Sequence, residues 1–348
     1  MKHIIESNVE PSNTNVLWLD GDNNLYNYNK GKWVKIGGSG GGTPSVIKIP
    51  LKGLKFGMSN LEGFNPENFD ATGDNAPTNL VYMFSSANVG AASTDLNLSS
   101  WDFSKVTAAI DMFSGATIGT LTMTGLTFGA EFDGSFMFEG SNIQYVEFSN
   151  SSFANITNVY NMFGNNIVGT FDLHGLNFNL STDILDSMFN NCSDLKVLNM
   201  TNVSMPTSVT SVMSMFRDCA SLTTLDLSSL HFSGLNAMDR CFEGCSSLQT
   251  LNIANWNLSQ VVYTGDAFKN CVKLENLSIG NLPDYKADTY KWGFETCTAL
   301  TRESLVNILN ALPTTTQTGA KIRIGTTNVS KLTDEDKAIA TSKGWAIV

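Results

Sequence analysis

Apolar residues recur along this chain in a fixed order. A pair with one polar residue between them is followed by a second pair, then by an apolar–Phe step. Anchored on the phenylalanine, the series is Phe84, Phe113, Phe138, Phe163, Phe189, Phe216, Phe242, Phe268 and Phe294, with spacings of 29, 25, 25, 26, 27, 26, 26 and 26 residues. A period in this range predicts a solenoid, in which each unit buries its apolar face only against its neighbours. Within a unit, Val159, Met162 and Phe163 fall at i, i+3, i+4 and predict a short helical turn. The alternating pairs Leu121/Met123, Leu198/Met200, Leu225/Leu227 and Leu251/Ile253 predict inward positions of a parallel strand. The expected fold is an α/β solenoid of about eight to nine repeats.

The pattern changes at both ends. Residues 1–36 carry short strand-like runs around Val16–Leu19, Leu25–Tyr28 and Trp33–Ile36, separated by Asp/Asn/Gly-rich turns, which predict a three-stranded meander. So small a sheet is not stable alone. Trp18, Leu25, Tyr26, Tyr28 and Trp33 are therefore the expected contacts with further copies or with a larger surface. Residues 37–45, Gly37-Gly38-Ser39-Gly40-Gly41-Gly42-Thr43-Pro44 and one more, form a flexible linker by composition. Residues 46–75 are expected to form an irregular N-terminal cap, and 76–297 the array. Residues 298–348 are expected to form an α/β C-terminal cap. There Leu305, Ile308, Leu309 and Leu312 form one helix face after Thr301, and Thr333 precedes three acidic residues at the start of a second helix.

Composition narrows the function. Charged residues make up only 15% of the chain and the formal net charge is −11, which disfavours a nucleic-acid partner. No apolar run is long enough for a membrane span, so no membrane insertion is expected. The first residues contain no run resembling the core of a secretory signal, and the expectation is that ordinary secretion does not export the chain.

Candidate chemistry is sparse. Cys192, Cys219, Cys245, Cys271 and Cys297 each stand three residues after a repeat phenylalanine, where earlier units have Ala87, Ala116, Ser141 and Asn166. That substitution pattern favours a small-residue packing slot over disulfide or metal chemistry. Cys241 and Cys245 are four apart, without the CxxC pairs or histidines of a zinc site. Asp20, Asp22 and Asn24 resemble the start of a calcium loop, but Leu25 stands where its glycine belongs and Gly31 where its glutamate belongs; a hairpin turn is expected instead. No cofactor is expected. The outward positions of the strands, Asn97, Thr122, Glu147, Asp172, Asn199, Asp226 and Asn252, with Tyr145 and His174 beside them, form a polar row. This row is the expected ligand face, against the plainer reading of a solvated surface. Its carboxylates leave open a glycan-degrading activity.

The unit Trp101-Asp102-Phe103-Ser104-Lys105-Val106 … Asp111-Met112-Phe113, and most closely Ser211-Val212-Met213-Ser214-Met215-Phe216-Arg217-Asp218-Cys219, resembles the BspA-like leucine-rich repeats of bacterial surface proteins. Later units depart from it, with Cys241-Phe242, Ala267-Phe268 and Gly293-Phe294 in place of Met-Phe. That resemblance implies a leucine-rich-repeat fold and adhesive or displayed roles, with no catalytic residues. The flanks Asn13–Asp20, Lys32–Gly38 and Leu332–Trp345 are similar to the attachment segment and ending of virion fibre proteins from tailed phages of gut Bacteroidetes. They imply a non-enzymatic head or tail fibre on the virion surface, held to capsid or tail proteins by its N-terminus. A homo-oligomer, dimer or trimer, and a surface glycan or host receptor as ligand are the expected partners. An exported bacterial cell-surface adhesin is the alternative.

Overall fold

The computed structural model describes residues 71–87, 95–129, 131–153, 156–178, 183–284 and 292–348, with Pro66 and short strands at 17–19, 25–29, 32–35, 49–50 and 69–70 before them. The solenoid that the period predicts is present, mostly β and parallel with little helix, and of about ten turns against the expected eight to nine. Its main sheet is built from one short strand per coil, among them Thr117–Thr122, Asn142–Glu147, Thr170–Asp172, Val197–Asn199, Thr224–Asp226, Thr250–Ile253 and Asn276–Ile279. Equivalent residues pair in register, as in Leu225↔Leu251↔Leu277. The inward pairs are buried throughout except for Ile279, which the last coil leaves half-buried.

Two further ladders run along the solenoid. One joins Thr127, Ser152, Asn177 and Ser204; the other joins Ile184, Ser211, Ala237 and Tyr263. Beyond the second ladder in each coil, before the chain returns to the main sheet, stands a third repeated feature. The nine repeat phenylalanines form a continuous stack, with successive ring centroids 4.9 to 5.6 Å apart and planes within 18° of parallel. All nine rings are buried. Offset stacking at this separation is favourable beyond the area it buries.

The segment around eight of the nine phenylalanines is not the helical turn that its spacing suggests; only Phe294 opens a short 3-10 helix, Phe294–Thr296. The residues two before and two after the phenylalanine have positive φ in those eight coils, as at Asn161 and Asn165 or Ser214 and Asp218. Alternate N–H groups reach the next coil: Ser214 N–H to Asp239 O, Phe216 N–H to Cys241 O and Asp218 N–H to Glu243 O, at 2.9, 2.8 and 2.7 Å. The N–H groups between them bond three residues back, as Met215 to Val212 and Arg217 to Ser214. A helix would close all these bonds within one coil. The turns instead turn every second bond outward and join coil to coil.

The N-terminal meander forms as expected: Leu17–Leu19, Leu25–Asn29 and Lys32–Lys35 pair antiparallel in that order. Ile49–Pro50 pairs parallel with Phe69–Asp70. The linker at 37–45 lies outside the described residues.

The C-terminal cap contains three helices, α1 (Arg302–Ala311), α2 (Thr326–Val329) and α3 (Asp334–Thr341), and a parallel pair, Lys321–Ile322 with Ala346–Ile347. Thr301 caps α1 and Thr333 caps α3, the latter with Asp336 in a reciprocal capping box. Arg302 reaches across to Asp336 through two bonds of 2.7 and 2.8 Å. The cap replaces the coil that would have followed. Leu277 N–H donates to Ser304 Oγ at 2.9 Å, where the next strand would have offered a carbonyl. No described helix is long and apolar enough to cross a membrane.

Candidate functional site

The polar row of the main sheet exists as a row. Leu96–Asn97, Thr117–Thr122 and Asn142–Glu147 are paired neighbours, as are Asp172 with Asn199 and Asp226 with Asn252. Asn97, Tyr145, Asp172, His174 and Asp226 are exposed, while Thr122, Glu147, Asn199 and Asn252 are half-buried.

Most of these side chains already have a task within the backbone. Oδ1 of Asn97, Asp172, Asn199, Asp226 and Asn252 accepts the N–H two residues on, at 2.9, 3.0, 3.1, 2.9 and 3.2 Å. Oε1 of Glu147 does the same for Ser149 at 2.9 Å. Such side-chain turns satisfy a donor at the point where the strand ends and the chain bends. The row therefore brackets each corner of the coil with one oxygen per residue. Apart from Glu147, what remains is the second oxygen or amide of each of these side chains.

The densest group lies around Tyr145. Its hydroxyl donates to Glu147 Oε2 at 3.0 Å, and Ser149 Oγ donates to the other carboxylate oxygen. The Ser149 hydroxyl and N–H hold the Glu147 carboxyl below the usual glutamate range, and the carboxylate in turn raises the Tyr145 phenol. A general acid for glycoside cleavage needs the opposite shift. Asp172 and His174 lie on the neighbouring coil.

The cysteine column is a packing ladder. All six cysteines are free and buried. Cys192, Cys219, Cys245, Cys271 and Cys297 each donate Sγ–H to the carbonyl of the preceding coil's ladder phenylalanine, at 3.0 to 3.2 Å. Asn166 Nδ2 makes the equivalent bond to Phe138 O at 3.0 Å. Asn328, from α2, donates to Phe294 O at 3.3 Å and so supplies the last rung. The adjoining Cys192 thiol and burial push the Cys219 thiol up, and burial does the same for Cys241, so both stay protonated. Reactive thiols need the reverse shift. Among the described residues, no three His, Cys, Asp or Glu side chains gather as metal ligands.

The meander residues Trp18, Leu25, Tyr26, Tyr28 and Trp33 lie on the paired strands, with Trp18 opposite Tyr26, Leu19 opposite Leu25 and Tyr28 opposite Trp33. The Asp20–Asn24 turn lies outside the described residues. Sequence reasoning missed a groove of about 540 Å³ on another face, lined by Thr210, Ser211, Met213, Gly234, Asn236 and Tyr263 among others. Its signals were a lone tyrosine in a ladder position and a glycine one coil earlier.

No curated protein matches the chain. The family described as "Mycoplasma protein of unknown function, DUF285" matches residues 58–142 and 183–305, more than half of the sequence. Both segments fall on phenylalanine-centred coils, and the stretch between them includes the Phe163 coil, whose small-residue slot holds Asn166. Its repeat, its solenoid and this match agree: the chain belongs to the DUF285 family of BspA-like repeat proteins.

Proposed function

We propose that this protein is a non-enzymatic structural or adhesive appendage of a tailed phage virion, a head or tail fibre that displays its solenoid. The observation that carries this reading is the change of architecture along the chain. A small antiparallel meander precedes a Gly-rich stretch and then a parallel solenoid with its own continuous core. Among the described residues, each strand of the meander pairs only with another strand of the same sheet. Three short strands bury too little to stand alone, so they call for a partner surface. A solenoid capped at its C-terminal end needs none for its stability. On this reading residues 1–36 attach to capsid or tail protein or to further copies, and the solenoid presents side chains to a surface glycan or receptor.

The test removes residues 1–45. The full chain is expected to sediment as a dimer or trimer and to appear on purified virions by antibody labelling. The shortened chain is expected to be monomeric and absent from them. Unchanged assembly together with unchanged incorporation would refute the assignment.

A second reading is a bacterial cell-surface adhesin, favoured by the cellular source in the family's description. Fractionation of producing cells separates the two. Exposure on intact cells without phage production supports the adhesin.

A further inference from the structure

The ladder through Ile184, Ser211, Ala237 and Tyr263 has large residues at its ends and small ones between. Ile184 is 45% exposed and Tyr263 is 58% exposed. Coils about 4.8 Å apart place three steps, roughly 14 Å, between these two positions. The small residues leave a groove of about 540 Å³ in that interval, within the usual size of a small-ligand site.

The groove's surface has a definite chemistry. None of its lining residues is charged, although the chain as a whole is acidic. Ser211 donates its hydroxyl proton to Asp186 Oδ1 at 2.5 Å, and Thr210 donates its own to Asp183 O at 3.3 Å. Both hydroxyl oxygens are thereby left as acceptors. The Asn236 carboxamide makes no hydrogen bond to the described residues and offers both a donor and an acceptor. Tyr263 supplies the one aromatic ring of its ladder, and Met213, 39% exposed, adds an apolar edge. The polar row of the main sheet also has an aromatic ring, Tyr145, but its oxygens already serve turns and it carries carboxylates.

We propose that this groove is a binding subsite for one or two rings of a neutral glycan. A sugar ring has a C–H face, which matches the negative face of the Tyr263 ring. Its edge carries hydroxyl groups, whose protons go to Ser211 and Thr210 while Asn236 donates and accepts. Gly234 keeps the floor low. The proposal rests on the adhesive reading, and it moves the ligand from the sheet row to this face.

Desialylated mucin and the neutral oligosaccharides released from it are the probes, with binding followed by calorimetry and by saturation-transfer NMR on the full chain. Tyr263→Ala and Gly234→Leu are the test variants, with Tyr145→Ala as the control on the sheet row. Tyr263 is exposed, and a Cβ at Gly234 meets nothing within 4 Å, so both variants should fold as the parent does, checked by thermal melting. The expected result is weakening by about tenfold or more for each test variant, as for an aromatic anchor, and parental binding for Tyr145→Ala. Loss in Tyr145→Ala with binding retained in Tyr263→Ala overturns the groove while leaving adhesion in place. Binding that survives enzymatic removal of the mucin glycans overturns it in favour of a protein partner. No binding of either probe by the parent overturns it too, and antibody labelling of virions is unaffected by any of these outcomes.

Discussion

The early coils and the later ones up to Phe268 share a turn backbone, and one buried position in it changes character along the chain. At the position three after the ladder phenylalanine, the early coils carry Ala87 and Ala116, the middle ones Ser141 and Asn166, and the later ones an unbroken run of cysteines. In every case the residue is buried and the preceding phenylalanine ring is stacked on its neighbours. The phenylalanine carbonyl already accepts the N–H of that same position, as Ala87 to Phe84 O and Cys219 to Phe216 O. A thiol from the next coil adds a second, weaker donor. The slot is therefore defined by volume, and its hydrogen bond is secondary. The two asparagines are the exception: Asn166 and Asn328 bring strong amide donors to the column.

The ring stack is common to both regions, so its loss is expected to cost the same in each. Phe113→Ala and Phe216→Ala each remove a fully buried ring from between two others. Each should cost about 3–5 kcal/mol. In an array of this size that lowers the melting temperature by on the order of 10 °C. Calorimetry checks it, and a large cost at Phe216 with almost none at Phe113 would show that the early coils are packed differently. Stacked repeats couple mainly to their neighbours, so the loss should also broaden the transition.

The final rung sharpens the contrast between strong and weak donors. Asn328 is fully buried and donates to Phe294 O, Cys297 O and Ile324 O at 3.3, 3.2 and 2.9 Å. Asn328→Leu keeps the bulk and removes the donor from all three. We expect a loss of about 2–4 kcal/mol, read from urea unfolding. Faster hydrogen exchange should appear around Phe294–Cys297. A cost near zero would mean that water replaces the amide and that α2 is dispensable as an end cap.

Much of this architecture was legible in the residues, and the parts that were not have physical reasons. The phenylalanine period, the inward pairs and the two capping threonines could be read because burial and caps constrain residue type directly. The turn column was read as helical because Val159, Met162 and Phe163 share one face in either conformation. The discriminating signal was the Asp, Asn, Ser or Gly at most positions two residues to either side of the phenylalanine, types often found at positive φ, with Tyr82, Phe136 and Arg240 as exceptions that mask it. Helix α2 has four residues, too few to show a period. The Asn/Asp row was legible as a row, but not as a set of turn brackets, because a polar residue outside a strand looks the same in both roles. The Tyr263 groove depends on size differences between residues 26 or 27 apart, which only the stacking brings together.

The smallest expected effect is the most direct test of the volume argument. Cys219→Ala leaves a void smaller than a methylene pair and removes a thiol bond to Phe189 O of 3.2 Å. Its cost should be about 0.5–1.5 kcal/mol. The reverse change, Ala116→Cys, adds one sulfur to a slot that the later coils fill without strain, and should shift stability by no more than about 1 kcal/mol. Urea midpoints of the two variants, measured beside the parent, decide the matter. If Cys219→Ala matched the cost of losing a ring, the thiol would be more than a spacer and the Ala coils would need some other support. If Ala116→Cys were strongly destabilising, the early slot would be narrower than the late one, and the shared backbone would hide a real difference in coil spacing. With both effects small, alanine and cysteine are interchangeable solutions to one steric constraint, and the column carries no chemistry of its own.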